Sequence, residues 1–246
     1  MSVDPVDASR ADAAVFRPLR TGNTFEETVE CLLTAIKLGL VGPGERLPSE
    51  RDLAERLNVS RVTLREAIRA LQRAGYVASS RGRYGGTFVN RTLPAMSTAA
   101  ARRLALEAGG DLDDVLVLRQ VLEVGAAEQA AARDLSPVER SQLEARLADC
   151  ATAPELADYR RLDSRLHLAV AEATASASLT SAVAGMRMRL NVMLDAIPVL
   201  ERNVDHSDDQ HALIVDAILT GDVAGARRAM ADHLDATAAL LRGFLS

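Results

Sequence analysis

The sequence predicts a mainly α protein: a winged helix-turn-helix at the N-terminal end followed by an all-α helical bundle. Three observations predict it. Two short helical patterns joined by a tight turn, then two short strand patterns, occupy residues 49–89. From Asp111 onward only helical periodicity is found. Hydrophobic residues make up 48% of the 246-residue chain but aromatics only 3%, with Ala, Leu, Arg and Glu abundant, so the core is aliphatic and helix-favouring.

Residues 1–16 are small and polar and read as a disordered tail. A winged helix-turn-helix domain is expected over 17–90, a linker over 91–110 and the helical domain over 111–246. Thr24 and Glu27 have capping-box spacing, and Val29, Leu32, Leu33 and Ile36 follow at helical intervals. Ser49 caps a second helix that buries Leu53, Ala54 and Leu57. Asn58 suits a left-handed turn, and Ser60 caps a third helix that stops at Gly75. Residues 76–79 and 86–89 read as strands around the loop 81–85. Further helices are expected at 111–133, 137–151, 155–173, 177–196, 208–220 and 223–244, with a capping box from Ser136 to Glu139.

Charge is unevenly placed. Residues 41–91 hold ten arginines against five acidic residues, a net of +5 in a chain whose total is −5. A basic module on an acidic body suits nucleic acid; a solvated arginine face is the bland alternative. The third helix sharpens the choice. Leu64, Ala67, Ile68 and Leu71 fall in one stripe about 100° wide, and Arg61, Arg65 and Arg69 lie beside it on another face. Arginine pairs bidentately with guanine and also holds phosphate. Ser60 and Thr63 can donate to phosphates or base edges, and Arg81 and Gly82 lie at the tip of the strand pair, where a wing meets the minor groove.

The run PGERLPSERDLAERLNVSRVTLREAIRALQRAGYV, residues 43–77, closely resembles the GntR family of transcription regulators, whose hallmark is LPSERDLA followed by VSRVTLREAI. The resemblance implies DNA contacts by Arg51, Arg61, Thr63 and Arg65, with Arg81 and Gly82 in the wing. Position 62, often Thr in that family, is Val here, which points toward a thymine methyl.

Four histidines are present. Asp163 and His167 are one turn apart on an expected helix. His211 and His233 lie about ten and eleven residues either side of the turn Thr220-Gly221-Asp222. In an antiparallel pair they sit level to within roughly 2 Å, at about 1.5 Å rise per residue. Asp163, His167, His211 and His233 could therefore converge as an N₃O set suited to Zn²⁺, Ni²⁺ or Mn²⁺ with open positions. By spacing alone, lone histidines are more often satisfied polar residues. Residues 111–244 further resemble the FCD effector domain of the FadR subgroup, on LRQVLEVGAAEQAA (118–131), DSRLH (163–167) and HALIVDAILTGDVAGARRAMADHL (211–234). That resemblance implies a six- or seven-helix bundle, a divalent metal on one Asp and three His, a small organic-acid effector beside it, and a homodimer on a double-stranded DNA operator. The chain departs from the family at 176–178, Ser-Ala-Ser in place of a frequent Gly-Asn. His206 reads as a solvated loop residue, with a substitute metal ligand as the alternative. Arg119 is either an effector-carboxylate clamp or an i,i+4 ion-pair partner of Glu123.

Cys31 and Cys150 are isolated and make neither a disulfide framework nor a thiolate metal site. With no bilayer-length apolar run and no signal-peptide pattern, a cytoplasmic, nucleoid-associated protein without membrane partners is expected. The expected function is a non-enzymatic transcription regulator, acting as a repressor, whose operator binding answers an organic acid. A metal-dependent hydrolase is the competing reading, but HExxH, a nucleophile elbow and a phosphate loop are all missing from the sequence. An effector-independent architectural DNA binder is the third.

Overall fold

A computed structural model of the chain describes residues 15–16, 24–80, 82, 85–94, 112–153, 156–197 and 201–245. It divides into two compact units, 1–95 and 96–246.

The first unit begins with α1 (Thr24–Lys37), α2 (Glu50–Leu57) and α3 (Arg61–Arg73). Ser49 caps α2, its side chain accepting from the Asp52 N–H at 3.2 Å. Asn58 takes the left-handed conformation at φ 53° and ends α2, because its short polar side chain tolerates that region. Ser60 then caps α3 through the Thr63 N–H at 3.0 Å. The two helices bury the expected faces, Leu53, Ala54 and Leu57 against Leu64, Ala67, Ile68 and Leu71. α1 packs on α3 from the other side. β1 (Val77–Ser80) and β2 (Gly86–Val89) pair antiparallel with Val77 opposite Val89. Residues 44–47 flank the far edge of β2, the Val89 N–H bonding to the Glu45 carbonyl at 2.9 Å.

Two expectations shift here, and others lie outside the described residues. Val15 and Phe16, the end of the segment read as a tail, are buried. The first strand begins at Val77 rather than Tyr76. The Thr24 side chain, and with it the Thr24–Glu27 capping box, lies outside the described residues, as do most of the tail and residues 95–111 of the linker.

The second unit holds α4 (Leu112–Ala131), α5 (Pro137–Ala151), α6 (Leu156–Ala173), α7 (Ala177–Asp195), α8 (Glu201–Thr220) and α9 (Val223–Leu245). α4 is central and packs on α6, α7, α8 and α9. Its Val115 and Leu116 join Met186, Leu190 and Met193 of α7 and Leu241 of α9 in one aliphatic cluster. The Ser136–Glu139 capping box forms, with Pro137 at the helix start.

α8 starts at Glu201, seven residues before the expected 208. The inward positions Val204, Asp208, His211, Val215 and Ile218 keep helical spacing, but two of them are polar, which hid the period. His206 is therefore a helical residue rather than a loop residue, and it is exposed.

Between α6 and α7, Ser176 caps α7 and Ala175 takes the left-handed conformation at φ 60°. A Cβ there is strained. Ala175→Gly is expected to raise unfolding stability by about 0.5–1 kcal/mol, strain relief outweighing the freer unfolded chain. Urea unfolding followed by circular dichroism checks this; a loss of stability would show that the residue is not left-handed in solution.

Candidate functional site

In the second unit, α6, α8 and α9 bring Asp163, His167, His211 and His233 together, with one ligand atom from each within 4.8 Å of the others. The imidazole centroids lie 4.6–5.5 Å apart. The Asp163 Oδ1 atom is 3.3 Å from His211 Nε2 and 3.6 Å from His167 Nε2. All four residues are buried, and the Nε2 atom of each histidine has no hydrogen-bond partner among the described residues.

The other ring nitrogens face acceptors, hydrogen-bonded at His233 and by proximity alone at His167. His233 Nδ1 meets Gln210 Oε1 at 3.1 Å, and His167 Nδ1 lies 3.2 Å from Glu123 Oε2. His211 Nδ1 faces Cys150 Sγ at 3.9 Å and Asp208 Oδ1 at 3.8 Å. An acceptor behind Nδ1 favours the tautomer whose Nε2 lone pair points inward, the arrangement usual for metal-ligating histidine. Orphaned inward nitrogens beside a carboxylate thus fit a divalent cation.

Behind the histidines lies a buried charge network that the sequence reading missed. Arg187 of α7 is fully buried. Its Nη2 donates to Asp163 Oδ2 and its Nη1 to Glu123 Oε1 at 3.3 Å. Arg119 Nε donates to Glu123 Oε2 at 2.9 Å, so the i,i+4 ion pair exists, while Arg119 Nη1 is buried without a partner among the described residues. Burial pushes the Asp163 carboxyl up, but Arg187 and His167 outweigh it and hold it well below the usual carboxylate range. Glu123 is held low in the same way by His167, Arg119 and Arg187. Burial also lowers His167 and, further, His233, which sits beside the other two imidazoles. On His211 burial works against the proton, yet the adjacent Asp163 and Asp208 carboxylates raise it well above the ordinary value.

A signal for Arg187 was present. It falls among Thr180, Val183, Ala184, Leu190 and Met193, all buried, at helical spacing. A charge on an apolar stripe marks a paired buried group. Cys150 gave no such signal, being 61 residues from His211. The structure nonetheless groups Cys150, Asp208 and His211, so isolation in sequence did not exclude a thiolate donor set.

In the first unit, Arg51, Ser60, Arg61, Arg65 and Gly82 are exposed and Thr63 is half-buried. Arg61, Arg65, Arg69 and Arg73 share the outer side of α3 with Val62, which is 66% exposed. Arg65 Nε donates to Glu50 Oε2 at 2.7 Å, and Arg51 lies 3.7 Å from Asp52. Ser60 Oγ is committed to the helix cap and lies 2.8 Å from Thr63 Oγ1. Gly82 has φ 112° with open space where a Cβ would stand, as a turn tip requires. Arg81 lies outside the described residues.

An arginine-faced helix-turn-helix with a two-stranded wing defines a DNA-binding protein. Residues 24–89 match the model for bacterial regulatory proteins, gntR family, and residues 114–236 match the FCD domain. A protein of Escherichia coli K12 whose name assigns it to the L-lactate dehydrogenase operon is 31% identical over 236 residues, covering 88% of this chain and 84% of its own. The Exu regulon transcriptional regulator of the same organism is 30% identical, with the same coverage. Among solved structures, E. coli McbR/YncC shares the fold at a TM-score of 0.53 and 20% identity, over 91% of this chain and 99% of that one. This chain belongs to the gntR family of bacterial regulatory proteins and carries an FCD domain. It is a DNA-binding transcription regulator. Among the described residues no helix is long and apolar enough to cross a membrane.

Removing Arg187 strands the buried Asp163 carboxylate and takes one of two arginines from Glu123. Arg187→Met is expected to destabilise the chelator-treated protein by about 3–5 kcal/mol in urea unfolding. A loss below about 1 kcal/mol would mean that the network is hydrated in solution.

Proposed function

We propose that this regulator binds a near-palindromic operator as a homodimer and acts as a repressor released by a small organic acid, sensed beside a divalent ion on Asp163, His167, His211 and His233. The observation that carries the sensor reading is the convergence of three buried, unpartnered Nε2 atoms on one carboxylate. Zn²⁺, Ni²⁺ or Mn²⁺ suits that donor set, and when bound such an ion would tie α6, α8 and α9 together and offer open positions to carboxylate or hydroxyl oxygens.

Arg119 has one side of its guanidinium on Glu123 and an Nη1 with no partner among the described residues. That free N–H suits an effector carboxylate, so the two readings of Arg119 are compatible. The name of the E. coli relative points to L-lactate, a hydroxy acid, as the class of molecule to test first. An effector shifts DNA affinity only by its differential affinity for the two states of the protein.

On DNA, Arg61 and Arg65 read or clamp the major groove, Arg51, Ser60 and Thr63 position the helix on phosphates, and Arg81 and Gly82 bring the wing to the minor groove. Arg65 must exchange Glu50 for DNA, so the free protein holds a competitor for its own ligand.

Arg61→Ala is expected to weaken operator binding by about 1–3 kcal/mol if it reads a base, or to lower the salt slope by about one if it holds a phosphate. Glu50→Gln is expected to tighten binding by roughly two- to fivefold, the worth of an exposed ion pair. Fluorescence anisotropy across a salt series checks both, and unchanged affinity in both variants would refute the DNA face. For the sensor, purified protein is expected to hold about one divalent ion per chain. Chelation is expected to lower the melting temperature and abolish release by the acid, and His233→Ala to do the same. Chelated protein that still answers the acid would refute the metal reading and leave DNA binding standing.

A further inference from the structure

His211 carries two ring nitrogens, and the fold surrounds each with its own donors. Nε2 looks toward Asp163. Nδ1 looks toward Cys150 Sγ at 3.9 Å and Asp208 Oδ1 at 3.8 Å. The ligand atoms of Cys150, Asp208 and His211 all lie within 4.8 Å of one another. Cys150 stands in the last turn of α5 and is buried. Asp208 stands one turn before His211 on α8, so the two share a face. From α6 the Tyr159 hydroxyl donates to Asp208 Oδ1 at 3.1 Å, which holds the carboxylate in orientation.

Thiolate, imidazole and carboxylate together favour a borderline or soft ion over Mg²⁺ or Ca²⁺. Bonds of about 2.3 Å to sulfur and about 2.0 Å to nitrogen place those donors about 3.5 Å apart in a tetrahedral site. The observed 3.9 Å needs only a small closing movement.

We propose that Cys150, Asp208 and His211 form a second cation site, for a thiophilic divalent ion, on the opposite side of the His211 ring from the Asp163 cluster. Binding forms an Sγ–metal bond as the thiol proton leaves to solvent, with no change of oxidation state. A neutral imidazole has one lone pair. When Nδ1 is the donor atom, Nε2 carries the proton and points it at Asp163 Oδ1, 3.3 Å away. His211 therefore serves one site at a time, and the softness of the ion decides which. The site stands on its own geometry and does not depend on DNA binding; an ion that holds His211 in the first cluster competes with it, so the test starts from metal-free protein.

The test is titration of metal-free, full-length protein with Cd²⁺, read by the ultraviolet thiolate-to-cadmium charge-transfer band. The wild type is expected to develop the band at about one equivalent. Cys31→Ser and His233→Gln, which touch the other cysteine and the first cluster only, are expected to keep it. Cys150→Ser is expected to lose it, and Asp208→Asn to weaken Cd²⁺ binding about tenfold or more. No band in the wild type, or a band that survives Cys150→Ser, would overturn the proposal. Cadmium-113 resonance of the wild type gives a readout independent of variant folding: a shift typical of one sulfur ligand supports the site, and an all-nitrogen-and-oxygen shift overturns it.

Discussion

Taking a guanidinium fully out of water costs several kcal/mol, roughly, unless carboxylates meet it at close range and their own lone pairs are satisfied. Arg187 is fully buried, and the FCD domain is arranged to meet that condition. α4 must present Glu123 and α6 must present Asp163 to the same face of α7, which sets the rotation of both helices. Each carboxylate then has one oxygen on Arg187 and the other turned toward histidine. The guanidinium thereby aims the carboxylates that the imidazoles gather around. An aliphatic core alone would tolerate small helix rotations; a buried charge network does not.

The DNA-binding unit was legible almost residue by residue. Its helices are short, capped by Ser49 and Ser60, and apolar on one side only, so period and caps agree. The candidate cluster was legible because a hairpin converts sequence distance into height, and His211 and His233 sit level across Gly221. The same logic failed where polar residues occupy inward positions. Asp208 and His211 interrupt the apolar pattern of α8, so its first seven residues read as loop. Arg187 was missed although it lies on an apolar stripe, because single-helix spacing cannot say that two other helices supply its partners. Arg119 left two readings open, and both of its groups are in view: one nitrogen paired, one not.

The arginines of α3 face solvent with few partners, which suits a surface whose counterions are to be released on binding a polyanion. Glu50 and Asp52, in the first turn of α2, temper that charge at Arg65 and Arg51. An acidic first turn also stabilises α2 through its dipole. The same carboxylates that help the helix form therefore oppose phosphate nearby, lowering indiscriminate affinity more than they lower affinity for a site that repays the exchange with base contacts. Val62, exposed among the guanidiniums, has no electrostatic part in this and can discriminate only by shape against a base edge.

Tyr159 has a consequence for how this protein can be watched. The chain has no tryptophan and three tyrosines, so its ultraviolet emission is tyrosine emission, free of energy transfer to indole. Tyr159 is buried and its phenol donates to Asp208, next to His211. A phenol hydrogen-bonded to a carboxylate loses excited-state energy through its proton, and anything that redirects Asp208 changes that loss. The fold has placed an optical probe one hydrogen bond from the imidazole cluster, readable on unlabelled protein.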